Sequence, residues 1–160
     1  MLLYHASYQV FTPAQIVAAT KDCLQYPDVV GALEAKRPAH TPSRKVCLFA
    51  TDSPESAAAF LASQAGPVPL EAELRVYEVG MAFAHRAPFR LVHEISKRLK
   101  AGTTFDALVQ AYWEPSPPWA FWETFGPSFE VIAEIPSVSE AGIIRFKRAY
   151  DADIARSRAM

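Results

Sequence analysis

The stretch KVCLFATDSPESAAAFLAS, residues 45–63, decides the fold class. Lys45 to Thr51 is a nearly continuous apolar run of strand length, the pattern of a strand buried on both faces. A helix follows at once. Ser53 is suited to cap its free amides, Pro54 fits the first turn because proline has no amide to orphan, and Glu55 suits the positive end. Ala57, Ala58, Phe60 and Leu61 then give a packed face through about Ser63. A strand running straight into a helix calls for a fold that layers helices on a sheet.

Upstream, Leu2 to Ala6 reads as a strand with His5 at its end. Thr12-Pro13 is a helix entry and predicts a helix from Pro13 to about Leu24. Asp28 to Lys36 forms a further short helix, closed by Arg37-Pro38 because the residue before proline disfavours helical backbone. Downstream, Gly66-Pro67 ends the central unit and Leu70 to Val79 has strand character. Leu91, Ile95 and Leu99 recur every four residues ahead of Gly102, which predicts a helix over 89–100. Thr103 or Thr104 would cap another over 105–113. Glu114 to Pro118 is a stiff loop and Trp119 to Phe125 a packed aromatic segment. Phe129 to Ile135 reads as a strand and Gly142 to Phe146 as a shorter one. Strands and helices mix without regular alternation, so the class is α+β, with one domain over 1–150 and a polar surface tail over 151–160.

The chain has 160 residues, 51% of them hydrophobic, enough for one core. A formal charge of -1 removes the long-range attraction typical of dedicated nucleic-acid or anionic-membrane binders. Six glycines argue against a glycine-built phosphate cradle. The two cysteines, Cys23 and Cys47, are too few for a disulfide framework or a zinc cluster. His93-Glu94-Ile95-Ser96-Lys97 starts like a zinc-protease helix but has Lys97 where the second imidazole belongs, so no metal is expected. Dinucleotide-turn, phosphate-loop and nucleophile-elbow motifs are missing. With no basic leader and no apolar run near the ~20 residues of a membrane span, the expectation is a cytoplasmic protein with no membrane partner.

Three separated elements point further. Tyr4-His5-Ala6-Ser7 lies on the first strand, Phe49 to Ser53 enters the alanine-rich helix that carries Phe60, and Phe129-Glu130-Val131-Ile132 opens a late strand. Together they resemble the ADP-ribosyltransferase superfamily. There a strand-end histidine meets an aromatic on the central strand-helix unit and a glutamate at the start of a late strand. With Pro42-Ser43-Arg44, Tyr77-Glu78-Val79 and Tyr112-Trp113 added, residues 2 to 140 look like a bacterial and phage family of ADP-ribosyltransferase-like proteins.

The resemblance implies central mixed or antiparallel sheets that form a cleft with flanking helices, and NAD as co-substrate without a metal. It implies that His5 hydrogen-bonds a ribose hydroxyl, with Ser7 nearby at the nicotinamide end. Phe49 or Phe60 would stack on nicotinamide, Arg44 would pair with pyrophosphate, and Trp113 would help to wall the pocket. Glu130 would be the catalytic carboxylate acting with His5, with Glu123 as the alternative. Breaking the nicotinamide-ribose bond develops positive charge on the sugar, and a buried carboxylate there contributes more than one in water. The acceptor of ADP-ribose, whether protein, nucleic acid or small molecule, stays open, as for a bacterial toxin or phage host modifier. The competing expectations are an inactive binding module of the same fold and an NAD-dependent RNA 2'-phosphotransferase.

Overall fold

The computed structural model describes residues 1–23, 25–64, 68 and 72–160. At its centre are the strand and helix anticipated above, β3 (Leu48–Thr51) and α2 (Pro54–Ser63). The Ser53 hydroxyl accepts the Ser56 amide at 3.1 Å, the expected cap. Around them, in chain order, lie β1 (Leu3–Ser7), β2 (Ile16–Ala18), α1 (Pro27–Glu34), β4 (Arg75–Gly80), β5 (His85–Pro88), α3 (Phe89–Ala101), α4 (Asp106–Trp113), β6 (Trp122–Gly126), β7 (Ser128–Ile135) and α5 (Glu140–Ala159). The architecture is α+β. The strands form one open sheet in the order β2-β7-β4-β1-β3-β6-β5, with antiparallel pairing throughout.

Two features of this sheet shape the candidate site. β1 pairs with β4 over five residues but meets β3 at a single position, Tyr4 opposite Thr51, so the sheet forks there. β7 carries a bulge: Glu78 pairs with Ala133 but Val79 pairs with Val131, which leaves Ile132 unpaired. The extra residue inverts the alternation of side chains along β7. Ile135 packs with Val76 and Ala57, whereas Phe129 and Val131 turn to the opposite face and pack with Leu3, Phe11 and Tyr77.

The largest core cluster joins Leu91, Val92 and Ile95 of α3 to Leu33 of α1, Leu108 and Tyr112 of α4 and Phe125 of β6. The four-residue stripe on α3 is its inner face, and each fully covered aliphatic there contributes about 1.5–3 kcal/mol. Gly102 closes the helix at φ 68°, a conformation that suits glycine.

Several expectations are corrected. The helix expected from Pro13 to Leu24 is a turn followed by β2; Leu24 itself lies outside the described residues. Backbone pairing with β7 overrides the helix entry: the Ala14 amide donates to Val131 O at 2.8 Å, and Gln15 O accepts the Val131 amide at 2.9 Å. The strand expected from Leu70 begins at Arg75; residues 70 and 71 fall outside the described residues. Phe105, with no side-chain bond, sits at the start of α4, so neither Thr103 nor Thr104 caps it. The short strand expected over 142–146 is the first part of α5, capped by the Ser139 hydroxyl on the Gly142 amide. The tail over 151–160, expected as frayed or helical on the surface, is helical, the end of α5; most of it is exposed, but it is anchored where buried Asp153 accepts the amides of Ala120 and Phe121.

Candidate functional site

The fork between β1 and β3 opens a cavity of about 500 Å³, within the usual range for small-molecule sites. His5 and Ser7 contribute from β1, Phe49 and Thr51 from β3, Phe60 from α2, and Cys47 from the segment ahead of β3. Four of the residues singled out in the sequence, His5, Ser7, Phe49 and Phe60, therefore meet in one hollow. None of the described residues lining it carries a formal charge at neutral pH.

His5 holds the fork together. Its Nδ1 lies 2.6 Å from Phe49 O, which can only accept, so the ring proton sits on Nδ1 and Nε2 keeps a lone pair. Burial lowers the pKa of the imidazole, against a raising contribution from the Phe49 bond, and the neutral form is the stable one near pH 7. The ring packs on Phe129 with centroids 4.8 Å apart. The Ser7 hydroxyl accepts the Gln9 amide at 3.0 Å. Phe49 and Phe60 lie 6.5 Å apart at 53°, and Phe60 is held from behind by Phe89 and Phe121.

Behind Phe49 sits a buried charge cluster. Arg44 is fully buried, with its guanidinium 4.8 Å from the Phe49 ring centre. It donates to Glu123 Oε1 and, at 2.8 Å, to the Tyr112 hydroxyl, which in turn donates to Glu123 Oε1 at 2.6 Å. Desolvation acts to lower the Arg44 pKa, but the Glu123 carboxylate and the other nearby groups outweigh it and hold the guanidinium charged. Burial pushes the Tyr112 phenol well up, so it stays a donor. Arg44 Nε and Nη2 and Glu123 Oε2 have no hydrogen-bond partner among the described residues. Glu123 is the register partner of Thr51, which places the carboxylate one strand from the cavity wall.

Three of the expected assignments change. Arg44 does not face the cavity as a free pyrophosphate ligand; with no exposed surface, its charge is spent on Glu123. Trp113 ends α4 away from the fork, its Nε1 donating to Leu33 O at 3.0 Å and its ring against His85, and lines a separate groove with Lys36 and Phe105. Glu130 is exposed and shares a different hollow with Ile16 and Gly80. The bulge at Ile132 is the physical reason: it turns Phe129 onto His5 and sends Glu130 to the other face. His5 and Glu130 are therefore not brought together.

Sequence reasoning missed Thr51, Phe11, Val17 and Gln64 as lining residues, and the pairing of Arg44 with Glu123. The one available signal for the pair was a glutamate inside the aromatic run Trp119 to Phe125, where a buried carboxylate needs a cation. Among the described residues no group of three His, Cys, Asp or Glu side chains is arranged to hold a metal, and no helix is long and apolar enough to cross a membrane. No protein-family model and no curated protein sequence matches this chain.

Proposed function

We propose that the cavity at the β1/β3 fork takes the nicotinamide-ribose end of NAD and that the chain transfers ADP-ribose to an acceptor, with Glu123 rather than Glu130 as its carboxylate. The observation that carries the reading is the meeting of His5, Ser7, Phe49 and Phe60 in one hollow with a buried glutamate on the adjoining strand. Two aromatic walls suit a planar leaving base, and Nε2 of neutral His5 can accept from a ribose hydroxyl. With no cation among the described lining residues, the pyrophosphate would lie at the mouth, in water. Glu123 stands second in a late strand next to β3, as the resembled family requires; it does not line the cavity, and with Oε1 held by Arg44 and Tyr112 it would act from behind the β3 wall through Oε2, which has no protein donor among the described residues. As the glycosidic bond breaks, its electron pair leaves on the base, and the carboxylate opposes the positive charge left on the sugar. The acceptor's nucleophile then bonds to that carbon and loses its proton to solvent.

One observation favours a second reading. The carboxylate is tied to Arg44 and the described lining residues are uncharged, which also suits a module that binds the ligand without cleaving it. Labelled NAD incubated with the wild-type chain separates the two: nicotinamide release supports the transferase, and saturable NAD binding without release supports the module. Folded protein that neither binds NAD nor releases nicotinamide overturns both. Glu123→Gln should cut release per folded molecule by about 100-fold, the scale of losing one transition-state electrostatic partner, while Glu130→Gln leaves it unchanged.

A further inference from the structure

α2 and α5 touch near their first turns and part further along. A Cβ at Gly142 would lie 2.6 Å from Glu55 Cγ, so glycine there lets the two helices approach. About one turn on, both helices carry rings instead, Phe60 on α2 and Phe146 and Tyr150 on α5. Phe60 and Phe146 each pack on buried Phe121, with centroids 5.9 and 5.2 Å away, but not on each other. Phe89 stands across Phe60 and Phe121 at 86° and 78° and closes one side; Phe146 and Tyr150, stacked at 22°, form the other. The gap over Phe121 is a cleft of about 130 Å³, and among the described residues it shares only Phe60 with the β1/β3 cavity.

We propose that this cleft binds a one-ring aromatic carboxylate, with the ring over Phe121 between Phe60 and Phe146 and the carboxylate at Lys147. The site is distinct from the β1/β3 cavity, and the inference does not depend on what that cavity binds.

The class of ligand follows from size and charge. A dry apolar cavity of about 150 Å³ takes benzene, so this volume holds a single ring, and walls of phenylalanine select a flat apolar body. Three lining side chains are polar. The Ser63 hydroxyl already donates to Phe60 O at 2.8 Å. Burial raises the Tyr150 phenol, which stays uncharged at neutral pH. Lys147 is exposed on α5, carries the one formal charge of the described lining and is in no ion pair among the described residues. A carboxylate accepts from that ammonium, whereas a cationic ligand would be repelled. Because Lys147 faces solvent, the ring supplies most of the affinity and the ion pair a smaller share.

The test titrates benzoate, and separately benzyl alcohol, into the isotope-labelled full chain and follows its backbone amides by NMR. Benzoate should shift the amides of residues 59–63 and 146–150 and saturate with a Kd of ~5 mM or tighter, the least that a ligand of about nine non-hydrogen atoms gives at ordinary efficiency. Benzyl alcohol should shift the same amides and bind about twofold to fivefold more weakly, the share of a solvent-facing ion pair. Lys147→Met should bring benzoate down to the level of benzyl alcohol, leave benzyl alcohol unchanged and keep the rest of the amide spectrum, and Lys147→Arg should restore benzoate. A weaker benzoate Kd, shifts centred on residues 5–7 and 48–51, or a loss below about twofold in Lys147→Met would each overturn the proposal.

Discussion

Replacing Arg44 by Met tests whether the charge cluster behind Phe49 is a mutually dependent unit. Arg44 has no exposed surface and Glu123 only 1%. Arg44→Met leaves a buried carboxylate with one hydrogen bond, from Tyr112. Removing one partner of such a pair costs about 3–5 kcal/mol, mostly the penalty of the orphaned charge. A domain of this size is stable by roughly 5–15 kcal/mol, so the loss is a large share of the total. At about 2–4 °C per kcal/mol it lowers Tm by roughly 6–20 °C. The double variant Arg44→Met/Glu123→Leu removes both charges and both desolvation costs, and it should recover most of the loss. Urea unfolding followed by tryptophan fluorescence gives the four stabilities, of the wild type, Arg44→Met, Glu123→Leu and the double variant, and an unchanged m-value shows that the unfolded state is not responsible. A cost below about 1 kcal/mol for Arg44→Met, or a double variant as unstable as the sum of the singles, would refute the reasoning.

Acid should weaken the fold through its histidines. Burial lowers the pKa of His5, His85 and His93. The unfolded chain therefore takes up protons below about pH 6.5 that the folded chain refuses until lower pH. Stability is full above pH 6.5 and falls as pH drops toward the folded values, by up to about 1.4 kcal/mol per pH unit for buried His5 and by less for His85 and His93, which solvent screens, and His5→Gln should flatten that slope in urea titrations between pH 7.5 and 5. Asp153→Ala removes the acceptor of the Ala120 and Phe121 amides and should cost about 2–4 kcal/mol in the same assay. A loss under 0.5 kcal/mol would mean that α5 is not anchored at that point.

The strand-helix unit at 45–63 and the α3 stripe were legible because their signals are local. Capping by Ser53, proline in the first turn and a four-residue apolar repeat do not depend on distant partners. The Pro13 segment misled because β7, more than a hundred residues downstream, claims its amides and carbonyls. The Ile143-Ile144 pair misled in the other direction: β-branched residues suggested a strand, but Ser139 starts a helix whose far end is anchored by Asp153. β5 went unread because His85-Arg86-Ala87-Pro88 has little strand character and owes its conformation to pairing with β6. At the candidate site, His5, Ser7, Phe49 and Phe60 were readable as a group, but the choice between two glutamates was not. It turns on a single unpaired residue in β7, and strand periodicity assumes there is none.

That residue makes β7 two half-strands that serve different compartments. Its start supports the aromatic cluster under His5, and its end supports the alanine-rich packing beneath α2. Deleting Ile132 would remove the bulge and leave a regular ladder, with Val131 still opposite Val79, Ala133 still opposite Glu78 and both halves on their own faces. A residue added between Phe129 and Val131 would instead put these two out of phase and turn one of them away from the cluster they share with Leu3, Phe11 and Tyr77. Insertions should thus be tolerated in the turns that flank 128–135 and rejected within its paired halves, as a shifted reading frame is rejected in a message.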